Sequence, residues 1–391
     1  MKKTLLIALA VILAIGVFFG CSKEEEPEPE PTTIEAATAE PTQEPEWEDV
    51  EEEYTPPENI SPTTGLEGTT TEYKPLFVQI GNESHERPQQ GLQDADIVYE
   101  TLIEGTDTRF SAVFNDVLLK DDAPEEFIVG PVRSSRYYHQ WLQSEWDAIY
   151  IHMGGPDTTG SWESDIYGNS GEHIKQRISG AGKGTAHSEL FFKWRENKSV
   201  SDYAATDLIA DLDVYNYEPQ PLQQLNFYPP EEYEGKQEVK SVELPFLRHA
   251  GWVTYEYNNA ANKLERSMKS SEGDVSAFTD LNTGEIIQVQ NLIVQYTYVN
   301  IMPGDLGGRR KVDLVGSGRA DFVINGKHIQ GTWERADYSV ATTYKDDMGE
   351  EITLVPGNTW IAVHPKDQSV VFNYADGTSY ETPVDENTPQ I

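Results

Sequence analysis

The chain contains a single cysteine, and its position is the feature that most constrains the fold. Cys21 follows a basic start at Lys2 and Lys3 and an apolar run from Leu5 to Phe19. This run is about fifteen residues long, whereas a membrane-spanning helix needs roughly 20. A basic start, a short apolar run and then small residues are typical of an export signal. The sequence therefore predicts a signal peptide over residues 1–20 and lipidation of Cys21, as in palmitate-bearing lipoproteins; an uncleaved anchor with an incidental thiol is the alternative.

An acylated Cys21 leaves the mature chain without a free thiol, which excludes disulfides, iron–sulfur clusters and thiolate zinc sites. None of the eight histidines lies in an H-E-x-x-H motif. The loop GAGKGT lacks the Ser or Thr that a phosphate-binding loop needs after its lysine. The segment DLNTGEIIQVQN ends on Asn291, where a calcium loop has Glu. We therefore expect no metal and no cofactor.

The chain is strongly acidic, with 67 acidic and 29 basic residues and a formal net charge of −38. This balance argues against nucleic acid as a partner, because nucleic-acid binding requires basic surfaces. Residues 21–72 are rich in Glu and Pro, and such a segment repels itself and cannot bury a core. We predict a disordered spacer there. The predicted location is the extracytoplasmic face of the cell membrane, with lipidated Cys21 as the anchor.

The remaining sequence predicts an α+β fold in two domains. Residues 73–217 mix strand-like and helical patterns, which predicts an N-terminal α+β domain with a mixed or antiparallel sheet plus helices. The Pro-rich residues 218–243 are interpreted as a linker. Residues 244–380 show only strand and turn patterns, including the hairpin signal Asn325-Gly326, and predict a mainly-β C-terminal domain. Residues 381–391 form a predicted tail.

Four helices are predicted in the first domain. The segment YYHQWLQSEW has apolar residues at helical spacing, and Ser134 or Ser135 can cap its start. A short helix is predicted around Glu172 to Ile178, and two longer ones over TAHSELFFKWRE and VSDYAATDLIADL.

Charged residues concentrate between Asp96 and Gly155. On the strand DIVYETLIE, alternation places Asp96, Glu100 and Glu104 on one face. A hairpin with a loop over residues 105–108 sets Glu104 opposite Arg109, which predicts a cross-strand ion pair. Glu100 is then left without a local partner.

Arg133 and Arg136 flank the start of the predicted helix, where a positive charge is unfavourable. We expect an acidic strand face or an anionic ligand to compensate for them. Asp96 and Glu100, together with His152, could instead supply the acid and base for hydrolysis of a wall glycan. The same residues could also form a structural ion network.

Several segments together resemble the YerB-like lipoproteins of Gram-positive bacteria, a two-domain family of unknown function. The resemblance rests on RPQQGLQDADIVYE, EGTDTRF, GPVRSSR, DAIYIHMGG, GSGRADFVINGKHIQGTWER and EITLVPGNTWIAVHP. It implies an α+β first domain and a β-rich second domain. It also points to matching polar positions at Asn82, Arg87, Glu100, Glu104, Arg109, Arg133, Arg136 and His152. Where relatives often have a His-Asp pair, this chain has Phe278-Thr279-Asp280.

These observations favour a binding protein over an enzyme. The leading hypothesis is that Arg109, Arg133 and Arg136 engage an anionic group while Glu100 and His152 orient it, with Asn82 and Arg87 in the same site. The expected partners are the membrane, through Cys21, and a wall glycan, a peptide or an envelope protein. Two alternatives remain: a wall hydrolase with Glu100 and His152 as catalytic candidates, and a structural scaffold of an envelope complex.

Overall fold

The computed structural model describes residues 57–155, 173–180, 190–192, 202–205, 216–229, 233–247, 250–270 and 272–385. All of them belong to one unit, Tyr54–Ile391. The predicted signal peptide and Cys21 lie outside the described residues. Among the described residues, no helix is long and apolar enough to span a membrane.

Strands dominate the described residues, which contain two α-helices, α1 (Asp116–Leu119) and α2 (Tyr137–Trp146). The first eight strands are β1 (Leu76–Gly81), β2 (Ile97–Leu102), β3 (Thr108–Phe114), β4 (Ile128–Val132), β5 (Ile149–His152), β6 (Arg177–Ser179), β7 (Phe191–Phe192) and β8 (Asp202–Ala205). The next seven are β9 (Gln237–Leu247), β10 (Ala250–Asn258), β11 (Lys263–Lys269), β12 (Val275–Ala277), β13 (Gln288–Val289), β14 (Asn291–Thr297) and β15 (Val299–Ile301). The last seven are β16 (Arg310–Val312), β17 (Gly316–Ile324), β18 (Lys327–Arg335), β19 (Thr343–Asp346), β20 (Thr359–Pro365), β21 (Val371–Tyr374) and β22 (Ser379–Glu381).

The main sheet is mixed and follows the order β6–β5–β1–β3–β2–β20–β14–β17–β18. The strands β1, β2, β3, β14 and β20 are buried along their whole length. Such strands are covered on both faces and are therefore nearly continuous in apolar residues. This sheet carries most of the core and fixes the positions of the residues at its edges.

The strand β20 joins the two halves of the chain. It pairs in parallel with β2 on one side and with β14 on the other. Its Trp360 is fully buried and packs edge-on against Phe110 of β3 at 5.5 Å. Strands from both predicted domains therefore share one sheet and one core.

A second sheet contains β9, β10 and β11 in antiparallel order, with β21 and β22 on the other side of β9. It connects to the main sheet where β9 pairs with the start of β18.

The strands β17 and β18 are joined by a two-residue turn in which Asn325 and Gly326 both have positive φ. The hairpin predicted at Asn325-Gly326 is confirmed, because this turn requires the left-handed conformation at both positions.

The prediction of an α+β fold is only partly correct, because the described residues are mostly strand. Arg177–Ser179, which overlap the end of the short helix predicted around Glu172 to Ile178, form β6. The two longer predicted helices contain β7 and β8, which pair with each other, and β8 also pairs with β4. Hydrogen bonds to neighbouring strands here override the local helical preference.

The predicted hairpin register between β2 and β3 is wrong. Leu102 pairs with Thr108 and Thr101 with Arg109, which shifts the register by three residues. The loop spans residues 103–107 and is closed by a 2.9 Å hydrogen bond from the Ile103 amide to the Asp107 carbonyl. Glu104 therefore lies in the loop, and Arg109 does not face it across the strands.

Two predicted boundaries also change. Residues 57–72 were assigned to the spacer, yet Ser61 and Thr64 are buried and donate hydrogen bonds of 2.6 Å to the two carboxylate oxygens of Asp116. The predicted linker overlaps β9, and its first part packs on the body, where the Gln220 amide donates to Asp147 at 2.8 Å. Side-chain hydroxyl groups and one backbone amide thus attach segments that composition alone predicts to be disordered or flexible.

Asp96 is part of the contact that attaches residues 57–72 to the rest of the chain. Its Oδ2 accepts hydrogen bonds from the Thr63 hydroxyl and from the amides of Asn115 and Asp116. Burial, reinforced by the neighbouring Asp116 carboxylate, raises the pKa of Asp96 to about 8. In an unfolded chain the pKa of Asp is about 3.9. Between these two values the folded chain holds a proton that the unfolded chain has lost.

The stability contribution of Asp96 should therefore be complete below about pH 4 and decline as the pH rises towards 8. We expect Asp96→Asn, which cannot titrate, to gain stability relative to the wild type across this window. Urea denaturation of both proteins at pH 5, 6.5 and 8 measures the difference between their unfolding free energies. In this difference, the contributions of titratable groups that both proteins share cancel. A difference that does not change with pH would contradict the prediction.

Candidate functional site

Charged side chains gather where β1, β2 and β5 end. The strands β1 and β5 are parallel, so their carboxyl ends meet at one edge of the sheet. The segment after β4 enters between them: the Arg133 amide donates to the Gln79 carbonyl at 2.8 Å, and the Met153 amide donates to the Arg133 carbonyl at 3.0 Å. This edge carries what we term the arginine cluster, composed of Arg109, Arg133, Arg136, Glu83, Glu86 and Glu104.

Arg136 and Glu104 form the tightest pair of the cluster. Nε and Nη2 of Arg136 donate to the two carboxylate oxygens of Glu104, each at 2.6 Å. Burial acts to raise the pKa of Glu104, but the hydrogen bonds and positive charge of Arg136 lower it overall. The predicted Glu104–Arg109 ion pair is therefore replaced by a bidentate Glu104–Arg136 pair.

Arg133 is compensated in a similar way. Its Nε lies in close contact with a carboxylate oxygen of Glu86, which is fully buried. The positive charges of Arg133 and Arg136 are therefore both compensated by acidic side chains of the chain itself.

Arg109 differs from the other two arginines. It is buried, its Nη1 donates to the Ser134 carbonyl at 2.8 Å, and its Nε has no hydrogen-bond partner among the described residues. Burial and the nearby charge of Arg136 lower the pKa of Arg109 to about 10. Among the residues that the structure describes, no carboxylate accepts a hydrogen bond from Arg109, so it is a buried cation with only electrostatic compensation.

Glu83 lies between Arg109 and Arg133. Its Oε1 is 3.6 Å from Nη2 of Arg109, and its Oε2 is 3.6 Å from Nη2 of Arg133. These separations exceed a hydrogen bond, so the attraction is electrostatic only. The Glu83 side chain is 29% exposed, which makes it the accessible acid at this position.

Glu83, His85 and Glu86 also bring ligand atoms within 4.8 Å of one another, a spacing that a metal ion could use. Glu86, however, already binds Arg133, and Glu83 faces two guanidinium groups. The positive potential of these arginines opposes a cation. The guanidinium N–H donors at this position fit an anion better than a metal ion.

Asn82, Arg87 and Glu100 belong to a second, interior network. The Arg87 Nε donates to Asn82 Oδ1 at 2.9 Å, and the Asn82 amide donates to the Thr108 hydroxyl at 2.8 Å. Thr108 in turn donates to Glu100 at 2.7 Å. The predicted site residues therefore separate into two groups.

Arg266 of β11 is the partner that Glu100 lacked in the sequence. Its Nη2 donates to both carboxylate oxygens of Glu100, each at 3.0 Å, and its guanidinium lies 4.0 Å from the ring centre of Phe278. Phe110 and Trp360 surround the same guanidinium at 5.3 and 5.4 Å. The pair is buried in an aromatic environment between the two halves of the chain.

This geometry gives no support to Glu100 and His152 as a catalytic pair. Glu100 is 2% exposed and engages Arg266, so no substrate reaches it. His152 is also buried, and its Nδ1 donates to the Gly154 carbonyl at 2.8 Å. Burial, with the charge of Arg177, lowers the pKa of His152 to about 3, so the ring stays neutral near pH 7.

Three residues of these networks are not predicted from the sequence: Arg266, Glu83 and Glu86. For Arg266 a signal existed: it alternates with Leu264 and Met268 on one face of β11, and an arginine on an apolar face needs a carboxylate. Glu83 and Glu86 carried no comparable signal, because they lie in a polar turn. The predicted Ser134 or Ser135 cap is wrong, since α2 begins after Arg136 and the Ser135 hydroxyl bonds to Tyr150.

Comparison with known proteins places the chain in a family. Residues 63–211 match the N-terminal domain, and residues 242–361 the C-terminal domain, of the protein of unknown function DUF3048. A Bacillus subtilis (strain 168) protein with the printed name "Putative lipoprotein YerB" is 31% identical over 318 residues, which is 78% of this chain and 86% of that protein. The crystal structure of YerB from Bacillus subtilis superposes with a TM-score of 0.62 at 26% identity, covering 83% of this chain and 99% of that one.

Fold and sequence thus define a two-domain protein built on a mixed sheet. The chain belongs to the DUF3048 family and is homologous to YerB. The resemblance inferred from the sequence is confirmed.

The Glu100–Arg266 pair gives a prediction about stability. Glu100→Gln or Arg266→Met should each lower the unfolding free energy by about 3–5 kcal/mol, because each leaves a buried charge unpaired. The double variant should recover a large part of this loss. Urea denaturation of the four proteins gives the coupling energy.

The partly exposed pair Lys269–Glu243 provides the control. Neutralising both of its members should cost about 0–1 kcal/mol with little coupling. A Glu100–Arg266 coupling as small as that of the control would show that the buried pair does not join the two halves.

Proposed function

We propose that this chain is a lipid-anchored, extracytoplasmic binding protein whose arginine cluster binds an oxyanion, a carboxylate or a phosphate, between Arg109 and Arg133. The observation that carries the proposal is the position of Glu83. Its carboxylate stands 3.6 Å from both guanidinium groups without hydrogen-bonding to either. It occupies the place of a ligand anion.

Exchange of Glu83 for an external oxyanion is favourable for a geometric reason. A ligand held closer could accept hydrogen bonds from Nη2 of both arginines and from the unpartnered Nε of Arg109. Charge-assisted hydrogen bonds between a guanidinium and an oxyanion are roughly twice as strong as neutral ones. Glu83 is partly exposed and can move into solvent, whereas the buried Glu86 cannot.

Not every residue that the sequence predicted for the site binds the ligand in this proposal. Arg136 is already engaged by Glu104 in two hydrogen bonds, so it has a supporting role: its charge lowers the pKa of Arg109 and favours an additional anion nearby. Glu100 and His152 do not orient the ligand in this proposal, because each is buried in a different set of contacts.

The location rests on the sequence and on the family. Cys21 follows an export-type segment, and the Bacillus subtilis relative carries the name of a lipoprotein. An oxyanion site on such a protein would face carboxylates or phosphates of the cell envelope.

Lipidation can be tested directly. In a Gram-positive host, wild-type protein should fractionate with membranes and carry a mass increase from fatty acyl chains at Cys21, whereas Cys21→Ala should lose both. Ser22→Ala serves as the neighbouring control and should behave as the wild type. Equal membrane fractionation and equal mass shifts for Cys21→Ala would contradict the lipoprotein assignment.

Anion binding can be tested on the chain without its signal peptide. Isothermal titration calorimetry with inorganic phosphate and with succinate should detect binding to the wild type that weakens as salt is raised. Glu83→Gln removes the competing carboxylate and should tighten binding by roughly tenfold. Arg109→Gln should abolish binding.

Glu125→Gln is the matched control, because it neutralises an exposed acid outside the cluster. It should leave the affinity unchanged. If Glu83→Gln bound neither anion more tightly than the wild type does, the proposed displacement of Glu83 would be excluded.

A further inference from the structure

A small cavity opens in the C-terminal half of the chain, where β9, β18, β21 and β22 meet. It has a volume of about 190 Å³, and its walls include His328, Gln330, Tyr374, Tyr380, Lys236 and Asp347. We term it the aromatic cavity. It shares no residue with the arginine cluster.

The inner wall of the aromatic cavity is held rigid by hydrogen bonds. His328 lies 2.9 Å from Asp321 Oδ1 through Nε2 and 2.8 Å from the Tyr374 hydroxyl through Nδ1. Because a carboxylate only accepts, Nε2 donates its proton to Asp321 Oδ1, and Nδ1 shares the second hydrogen bond with the Tyr374 hydroxyl. The imidazole also stacks on Phe372 with a centroid separation of 3.9 Å.

The contacts of Tyr374 leave it suited to binding rather than to nucleophilic chemistry. Burial raises the pKa of Tyr374 to about 12, so the phenol keeps its proton near pH 7. A hydroxyl oxygen has two lone pairs, so Tyr374 can accept a hydrogen bond from a ligand while it is bonded to His328. The wall therefore presents a fixed acceptor.

The outer wall combines an aromatic ring with paired charges. Tyr380 is half-buried, and its ring packs near Phe372 at 6.4 Å. The Lys236 ammonium donates to both carboxylate oxygens of Asp347 at 2.9 and 2.8 Å. Gln330 is exposed and, two residues from His328 on β18, lies on the same face of that strand.

We propose that the aromatic cavity binds one neutral sugar ring, with the apolar face of the ring against Tyr380 and its hydroxyl groups bonded to Tyr374, Gln330 and the Lys236–Asp347 pair. The rim carries one positive and one negative charge in contact, so it does not favour an ion. A tyrosine ring offers an apolar face together with a polar edge, which matches the two faces of a sugar. A few fixed polar groups then set the orientation of the ligand.

The experiment uses the chain without its signal peptide and isothermal titration calorimetry with the N-acetylglucosamine trimer, maltotriose and a neutral tripeptide. At least one of the two saccharides should bind. Tyr380→Ala should weaken that binding by about tenfold, whereas Tyr380→Phe, which retains the ring, should stay within about twofold of the wild type.

Tyr338→Ala is the control for loss of a half-buried tyrosine ring, because Tyr338 packs on Trp141 and does not line the cavity. It should bind the saccharide as the wild type does, and thermal melts should show that the Tyr380 variants are folded. Three results would overturn the proposal: no saccharide binding at millimolar concentration, equal affinity for wild type and Tyr380→Ala, or binding of the tripeptide alone. Because Tyr380 lies outside the arginine cluster, none of these outcomes depends on anion binding at Arg109.

Discussion

The contact between Glu100 and Arg266 unites the two halves of this chain. Two charges removed from water are costly, and their attraction compensates only where geometry and further hydrogen bonds are good. Here Arg266 reaches both oxygens of Glu100, Thr108 donates to the same carboxylate, and three aromatic rings surround the guanidinium. A register error in β2 or β11 would separate the two charges inside the core. The pair therefore selects one arrangement of the halves more strongly than it stabilises that arrangement.

The sheet reinforces this selection, because β20 pairs with β2 on one side and β14 on the other. The charged edge at the ends of β1, β2 and β5 is consequently supported by strands that cannot shift separately. At this edge the ion pairs differ in geometry. Arg136 binds Glu104 in two hydrogen bonds of 2.6 Å, whereas Glu83 only approaches Arg109 and Arg133. The loose position of Glu83 follows from its place between two cations, each of which lies 3.6 Å away.

What the sequence could predict follows from the range of each interaction. Local apolar patterns predict buried strands such as β2, β14 and β20, and the pair Asn325-Gly326 predicts the β17–β18 turn. Each of these signals lies within a few residues of the chain. The partner of Glu100 lies 166 residues away, so a local pattern can indicate that Arg266 needs a carboxylate but not which one. The helices predicted over β7 and β8 failed for the same reason, since their pairing with each other and with β4 decides their conformation. Family resemblance identified the polar positions but not how they divide into two networks.

Charge balance limits which anions the arginine cluster could accept. Three arginines face three glutamates, so the cluster is neutral while Glu83 remains in place, and the chain as a whole carries −38. An added anion would therefore meet repulsion unless Glu83 leaves, and binding is better described as exchange of one carboxylate for another oxyanion. A monocarboxylate gains little in such an exchange, because it replaces like with like. A phosphate or a dicarboxylate brings more charge and more acceptor oxygens to the same two guanidinium groups, and these are the ligands that exchange would select.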